Sequence, residues 1–240
     1  MLRVLEPETL DHLAPQDPAA QRSRRDLRRV NRVMGARAIL ARALERALPT
    51  TDGPRPLRLL ELGCGDGRLM LEVARRRGPR WADAQLDLLD RQPIVDDATL
   101  AAYAAAGWQA RPRVADVLDW AGTIDAAERW DVVVANLFLH HFEGPALGRV
   151  LAGCAARADA LVACEPRRSR FALAASHLVV FIGANAVTRE DAVLSVRAGF
   201  VGSELAEAWP GDAARWRLDE YDDGLFTHCF CAARVSGVAR

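Results

Sequence analysis

Leu59-Leu60-Glu61-Leu62-Gly63-Cys64-Gly65-Asp66-Gly67 is the stretch that decides the fold. An apolar run enters a Gly-x-Gly-x-Gly turn, and a segment of helical character, Arg68 to Arg77, leaves it. Such a strand–turn–helix junction presents backbone N–H groups at a helix start, and glycine lets a ligand approach the main chain. Elimination narrows the ligand. A Walker-type phosphate loop needs a Lys after its last Gly, and this chain contains no Lys. A dinucleotide fingerprint needs a third Gly where Arg68 stands. A tight turn with no ligand is the remaining alternative until the flanks are read.

Outward from this turn, apolar runs alternate with helical segments. Strands are expected at Leu57–Leu62, Gln85–Leu89, Gln109–Val114, Trp130–Ala135 and Ala160–Cys164, with later ones at Phe200–Ala206 and Leu225–Val235, the last with the alternation of an edge strand. Helices are expected at Arg68–Arg77 (stopped by Gly78-Pro79), Val95–Ala106, Gly144–Ala156, Ser169–Gly183 and Arg189–Ala198. Val132-Val133-Val134 has the unbroken apolarity of a strand covered on both faces. The alternation predicts an α/β, doubly wound, mostly parallel seven-stranded sheet, with its ligand at the carboxyl ends of the strands. Residues 1–50 read as a helical cap whose Gln21–Leu48 segment is rich in Arg, and 49–56 as a linker. Residues 51–240 then form the ligand-binding domain, with acceptor-pocket helices around 167–198.

At 240 residues, half of them apolar, the chain suits one well-filled domain. Its formal charge is zero, so no nucleic acid is expected as a partner. All 32 basic residues are Arg, which leaves no Lys for a Schiff base. Five Cys at 64, 154, 164, 229 and 231 form no Cys-x-x-Cys pair and no disulfide framework. Acidic residues interrupt the amino terminus, so a signal peptide is not expected and a cytoplasmic protein is. Phe171 to Thr188 lacks formal charge, but its polar residues argue for a buried or pocket-lining helix over a membrane span. A homodimer is among the expected assemblies.

The strand ends carry the chemistry. Asp90, with Arg91 beside it, ends the second strand 23 residues beyond Gly67, where a carboxylate can accept from ribose hydroxyls. Asp116-Val117 follows the third strand and Asn136 ends the fourth. Over residues 57–165 these features together resemble the class I S-adenosylmethionine (SAM) methyltransferase family. Asn136-Leu137-Phe138-Leu139-His140-His141-Phe142 resembles the segment after strand four in ubiquinone/menaquinone-type small-molecule methyltransferases, and Asn185 to Phe200 resembles polyketide-associated ones. The resemblance implies SAM as cofactor and S-adenosylhomocysteine as product. It implies Glu61 near the methionine ammonium, Gly63, Cys64 and Gly65 against the cofactor, and Asp116 and Val117 at the adenine. The absence of Asn-Pro-Pro-Tyr after strand four counts against DNA adenine or protein glutamine as acceptor.

Methyl transfer to a hydroxyl needs an aligned oxygen and a place for its proton. His140 and His141 are the candidate bases, His140 preferred; Arg167 and His177 are candidate acceptor contacts. The acceptor is expected to be small, largely apolar or aromatic, of phenolic or polyketide type, and methylated on oxygen. Carbon methylation, a protein or RNA acceptor and a non-catalytic SAM-binding scaffold are the alternatives. No acidic cluster has metal-ligand spacing, so no metal is expected.

Overall fold

The computed structural model describes all residues except 49–55, 78–80, 82, 124–127, 213 and 236–240. The expected linker and the Gly78-Pro79 helix stop lie outside the described residues.

Among the described residues, five parallel strands build the sheet: β1 (Arg58–Leu62), β2 (Gln85–Asp90), β3 (Gln109–Val114), β4 (Trp130–Asn136) and β5 (Ala158–Pro166). Two further strands, β6 (Trp216–Asp223) and β7 (Thr227–Arg234), form an antiparallel hairpin, and the order is β3-β2-β1-β4-β5-β7-β6. The order reverses between β1 and β4, so the Gly63–Gly67 turn and the end of β4 flank the switch point.

The period-2 alternation of the strands sends side chains to two faces. Leu59, Val132, Val134, Val162 and Cys231 go to one face, where they meet α2 (Ala36–Ala47), α3 (Arg68–Arg77) and α4 (Asp97–Ala105). Leu60, Leu62, Val133, Ala135 and Leu161 go to the other, against α5 (Val117–Gly122) and α6 (Gly144–Arg157). All five cysteines are free and buried, packing as small apolar groups.

Several expectations are corrected. The amino-terminal helical segment is two helices, α1 (Pro18–Met34) and α2, broken at Gly35, whose φ of 71° is left-handed. Helix α2 packs in the core, with Leu40 and Leu44 fully buried, whereas α1 packs against α2 and α8. Phe200–Ala206 is not a strand: Phe200 makes a single bridge to Arg167, and α9 (Glu204–Ala208) follows. The sixth strand is Trp216–Asp223, and β7 is interior, which is why Thr227 through Ala233 are buried without alternation. The uncharged stretch is broken into α7 (Arg170–Ser176), a 3-10 segment (His177–Ile182) and α8 (Ala186–Ala198). No helix among the described residues is long and apolar enough to cross a membrane.

Candidate active site

A cavity of about 380 Å³ opens at the switch point. Its floor is Glu61, Gly63, Cys64 and Gly65; Asn136, Leu137 and His140 form one wall, and α1 closes it from above with Leu27, Arg28 and Asn31. Arg28 pairs with Asp66 at 2.6 Å and so ties α1 to the glycine turn.

Glu61, one residue before the end of β1, is a buried carboxyl whose Oε2 has no hydrogen-bond partner among the described residues. Burial, reinforced by the charges of Asp66 and Asp90, pushes it up to about 8. A buried acceptor of this kind is satisfied by an incoming cation. The glycines differ in purpose. A Cβ on Gly65 (φ 55°) would meet no protein atom within 4 Å, so the space beside it belongs to the cavity. A Cβ on Gly63 (φ 61°) would sit 2.1 Å from Cδ2 of Phe138. Gly63 is therefore required by the loop after β4, and not only by a ligand's space.

Asp90 fastens the turn: Gly65 N–H donates to Oδ2 at 2.9 Å and Gln92 N–H to Oδ1 at 2.8 Å, while burial raises its pKa. Each oxygen keeps a further lone pair for a hydroxyl. Arg91 turns instead toward Asp11, 3.5 Å away. Asp116 caps α5, accepting from Leu118 N–H at 2.7 Å, and Val117 is buried behind it. A buried orphan carboxylate, an open glycine edge and Asp90 at the end of the next strand fit the ammonium, methionine arm and ribose of SAM.

The wall after β4 is built on Glu165, fully buried at the end of β5. Leu137 takes a left-handed φ of 51°. The amides of Phe138, Leu139 and His140 then donate to the Glu165 carboxylate, at 2.8 Å from Leu139. Nδ1 of His140 lies 2.8 Å from Glu165 Oε2, and its Nε2 lies 3.3 Å from Oε1 of Glu8. Burial alone would push this imidazole down; the hydrogen bonds and charges of the two carboxylates outweigh it and hold it up at about 9. Both ring nitrogens of His140, the preferred candidate base, are thus engaged by carboxylates. His141 stacks beside it with ring centroids 4.3 Å apart, and its pKa is lowered by burial and by the His140 charge. Of the pair, His141 is the imidazole whose charged form is disfavoured.

Arg167 and His177 do not join this site. Arg167 pairs with Asp222 at 2.9 Å, and His177 is exposed on its 3-10 segment. Phe171 and Phe181 are exposed too, so the uncharged stretch does not wall the cavity. In their place the fold supplies Arg28, Ser195, Glu8 and Glu165. Only Glu165, as a strand-end carboxylate before Pro166, carried a positional signal. Sequence spacing held no metal-ligand pattern, yet among the described residues the fold assembles one group of ligand type, Glu8, His140 and His141, with ligand atoms within 4.8 Å of one another.

Comparison with known proteins agrees with this geometry. The model of the methyltransferase domain family matches residues 31–168, more than half the chain. Trans-aconitate 2-methyltransferase of Rhodococcus jostii (strain RHA1) is 36% identical over 92 residues, a match covering 38% of this chain and only 31% of that protein. An O-methyltransferase family protein from Burkholderia thailandensis superposes with TM-score 0.58 at 17% identity, over 95% of this chain and 62% of that one. The plantazolicin methyltransferase BpumL, solved with S-adenosylhomocysteine, superposes with TM-score 0.61 at 12% identity over 92% of each chain. With the family model covering both the glycine turn and the wall after β4, the chain belongs to the class I SAM-dependent methyltransferase family.

Proposed function

We propose that this chain transfers a methyl group from SAM to an oxygen of a small aromatic or polyketide-type acceptor. The observation that carries the reading is the single cavity shared by Glu61 and Gly65 on its floor and His140 on its wall. When bound, SAM supplies a methyl group already activated on a sulfonium.

The protein's share is alignment, dryness and a place for the acceptor's proton. Glu61 takes the ammonium, Asp90 the ribose, and the open edge of Gly65 admits the chain between them. Leu27, Leu69 and Leu137 give the cavity its apolar lining. A phenol with a pKa of about 10 must lose its proton to become a good nucleophile. His141, packed on the cavity-lining His140 and with its charged form disfavoured, is the group suited to accept it. His140, held cationic between Glu165 and Glu8, attracts the resulting oxyanion. The free, buried thiols support a reducing cytoplasmic setting.

The test is turnover on a panel of phenols, enols and carboxylic acids, with the methylated atom identified by NMR. Oxygen methylation is expected, with His141→Ala slowed about 10²–10⁴-fold and its SAM affinity unchanged. Methylation at carbon, or full turnover in His141→Ala, would overturn the oxygen reading and the base assignment respectively.

A further inference from the structure

Glu8, His140 and His141 converge from two distant parts of the chain. Glu8 lies in the segment ahead of α1, and the two histidines sit on the 3-10 turn Leu139–His141. The hydrogen bond between Glu8 and His140 is a long one. A charge-assisted N–H···O contact closes to about 2.7–2.9 Å, as the Glu165 side of the same imidazole does. On the Glu8 side the separation is 3.3 Å. That is the edge of a ligand tetrahedron: two bonds of about 2.0–2.2 Å at a tetrahedral angle place their donor atoms about 3.3–3.5 Å apart.

The surroundings have the order of a metal site. Nδ1 of His140 is backed at 2.8 Å by Glu165, which fixes the tautomer and leaves Nε2 directed at Glu8. The hydroxyl of Ser195 donates to Oε1 of Glu8 and orients the carboxylate. His140 and Ser195 both line the cavity, so a fourth coordination position would open toward the acceptor.

We propose that Glu8, His140 and His141 form a site for one divalent transition-metal ion, Zn²⁺ by ligand type, at the acceptor end of the cavity. Two imidazoles and one carboxylate suit a borderline ion better than Mg²⁺ or Ca²⁺, which prefer oxygen sets. The open position would take an oxygen of the acceptor, which narrows the acceptor to one with an ionisable hydroxyl or an enol; with the ion bound, His140 and His141 would both be neutral ligands, the acceptor would bind as its anion with its proton lost to solvent, and the ion would supply the positive charge in their place. That role rests on the methyl-transfer reading; the existence of the site does not.

The experiment uses the full chain, stripped with a chelator and titrated with Co²⁺ as a spectroscopic stand-in for Zn²⁺. One equivalent should bind with the intense visible bands of a four-coordinate ion, and Zn²⁺ should displace it. Glu8→Gln and His141→Ala should each weaken binding at least about tenfold, and Glu165→Gln, acting through His140, about 10–100-fold. Circular dichroism identifies any variant that fails to fold, and Glu8→Gln, altered in the segment ahead of α1, keeps the test open. SAM binding is titrated in parallel. If SAM binds and Co²⁺ does not, the metal site is wrong and the methyltransferase reading stands. If Co²⁺ binds equally to wild type, Glu8→Gln and His141→Ala, or with near-ultraviolet thiolate bands, the ion sits elsewhere and the proposal fails. If Co²⁺ binds as expected and SAM does not, the site stands and the functional reading fails.

Discussion

Glu165 Oε2 and His140 Nδ1 lie 2.8 Å apart, with both side chains buried. The same carboxylate gathers the amides of residues 138–140, so one side chain shapes the loop and charges the imidazole at once. Replacing it with an amide halves its accepting capacity. Glu165→Gln should destabilise the chain by about 3–5 kcal/mol, the scale for breaking a buried charged pair. Urea denaturation monitored by far-UV dichroism measures this. An unchanged midpoint would mean that the loop is held by something other than Glu165.

Gly63 and Gly65 make opposite predictions. Both need a left-handed backbone, which an Ala tolerates at about 1–2 kcal/mol. At Gly65 that is the whole expected loss, while SAM binding should be abolished because the new methyl enters the cavity. At Gly63 the methyl meets Phe138, so Gly63→Ala should lose more stability than Gly65→Ala and displace the loop carrying His140. Thermal unfolding and SAM titration of both variants separate the two. Equal stability losses, or normal SAM binding by Gly65→Ala, would refute the division of labour.

Asp90→Ala removes the fastening of the glycine turn together with two acceptors for ribose hydroxyls. Each charge-assisted bond is worth about 1.5–3 kcal/mol, so SAM affinity should fall at least tenfold. Binding by the variant as tight as by wild type would show that Asp90 serves only the turn.

Much of this was legible in the chain. The glycine turn, the five parallel strands and Asp90, Asn136 and Glu61 at their ends follow from local pattern, since periodicity and turn chemistry are set by neighbours in sequence. Strand β6 was not legible. Trp216-Arg217-Leu218-Asp219-Glu220-Tyr221-Asp222-Asp223 is charged as edge strands are, and its acids pair with partners far away, Asp219 and Asp223 with Arg46 and Arg42 on α2. The engagement of His140 was hidden for the same reason. Its partners stand 132 and 25 positions away, and no local pattern announces that Glu8 folds back onto it. Arg167 misled because a cation after a strand end resembles a ligand contact until Asp222 claims it.

The central claim is that the cavity takes SAM with its ammonium on Glu61. Isothermal titration near pH 7, repeated in buffers of different ionisation enthalpy, tests it directly. Without ligand, Glu61 sits at about 8, well above its ordinary value of 4.5, so it is mostly protonated at pH 7. Its raised pKa means that the free chain binds the extra proton folded, and loses stability as pH rises from about 4.5 to about 8. Over that window Glu61→Gln should gain on wild type in stability while losing SAM. A bound ammonium reverses the shift and expels the proton. The account predicts one equivalent of SAM, close to one proton released per SAM bound, and affinity that rises with pH toward about 8 and falls above it, as the ligand's own α-amino group, with a pKa of about 7.7–8.0, loses its proton. Absence of binding, or binding with no proton released and undiminished in Glu61→Gln, would contradict it.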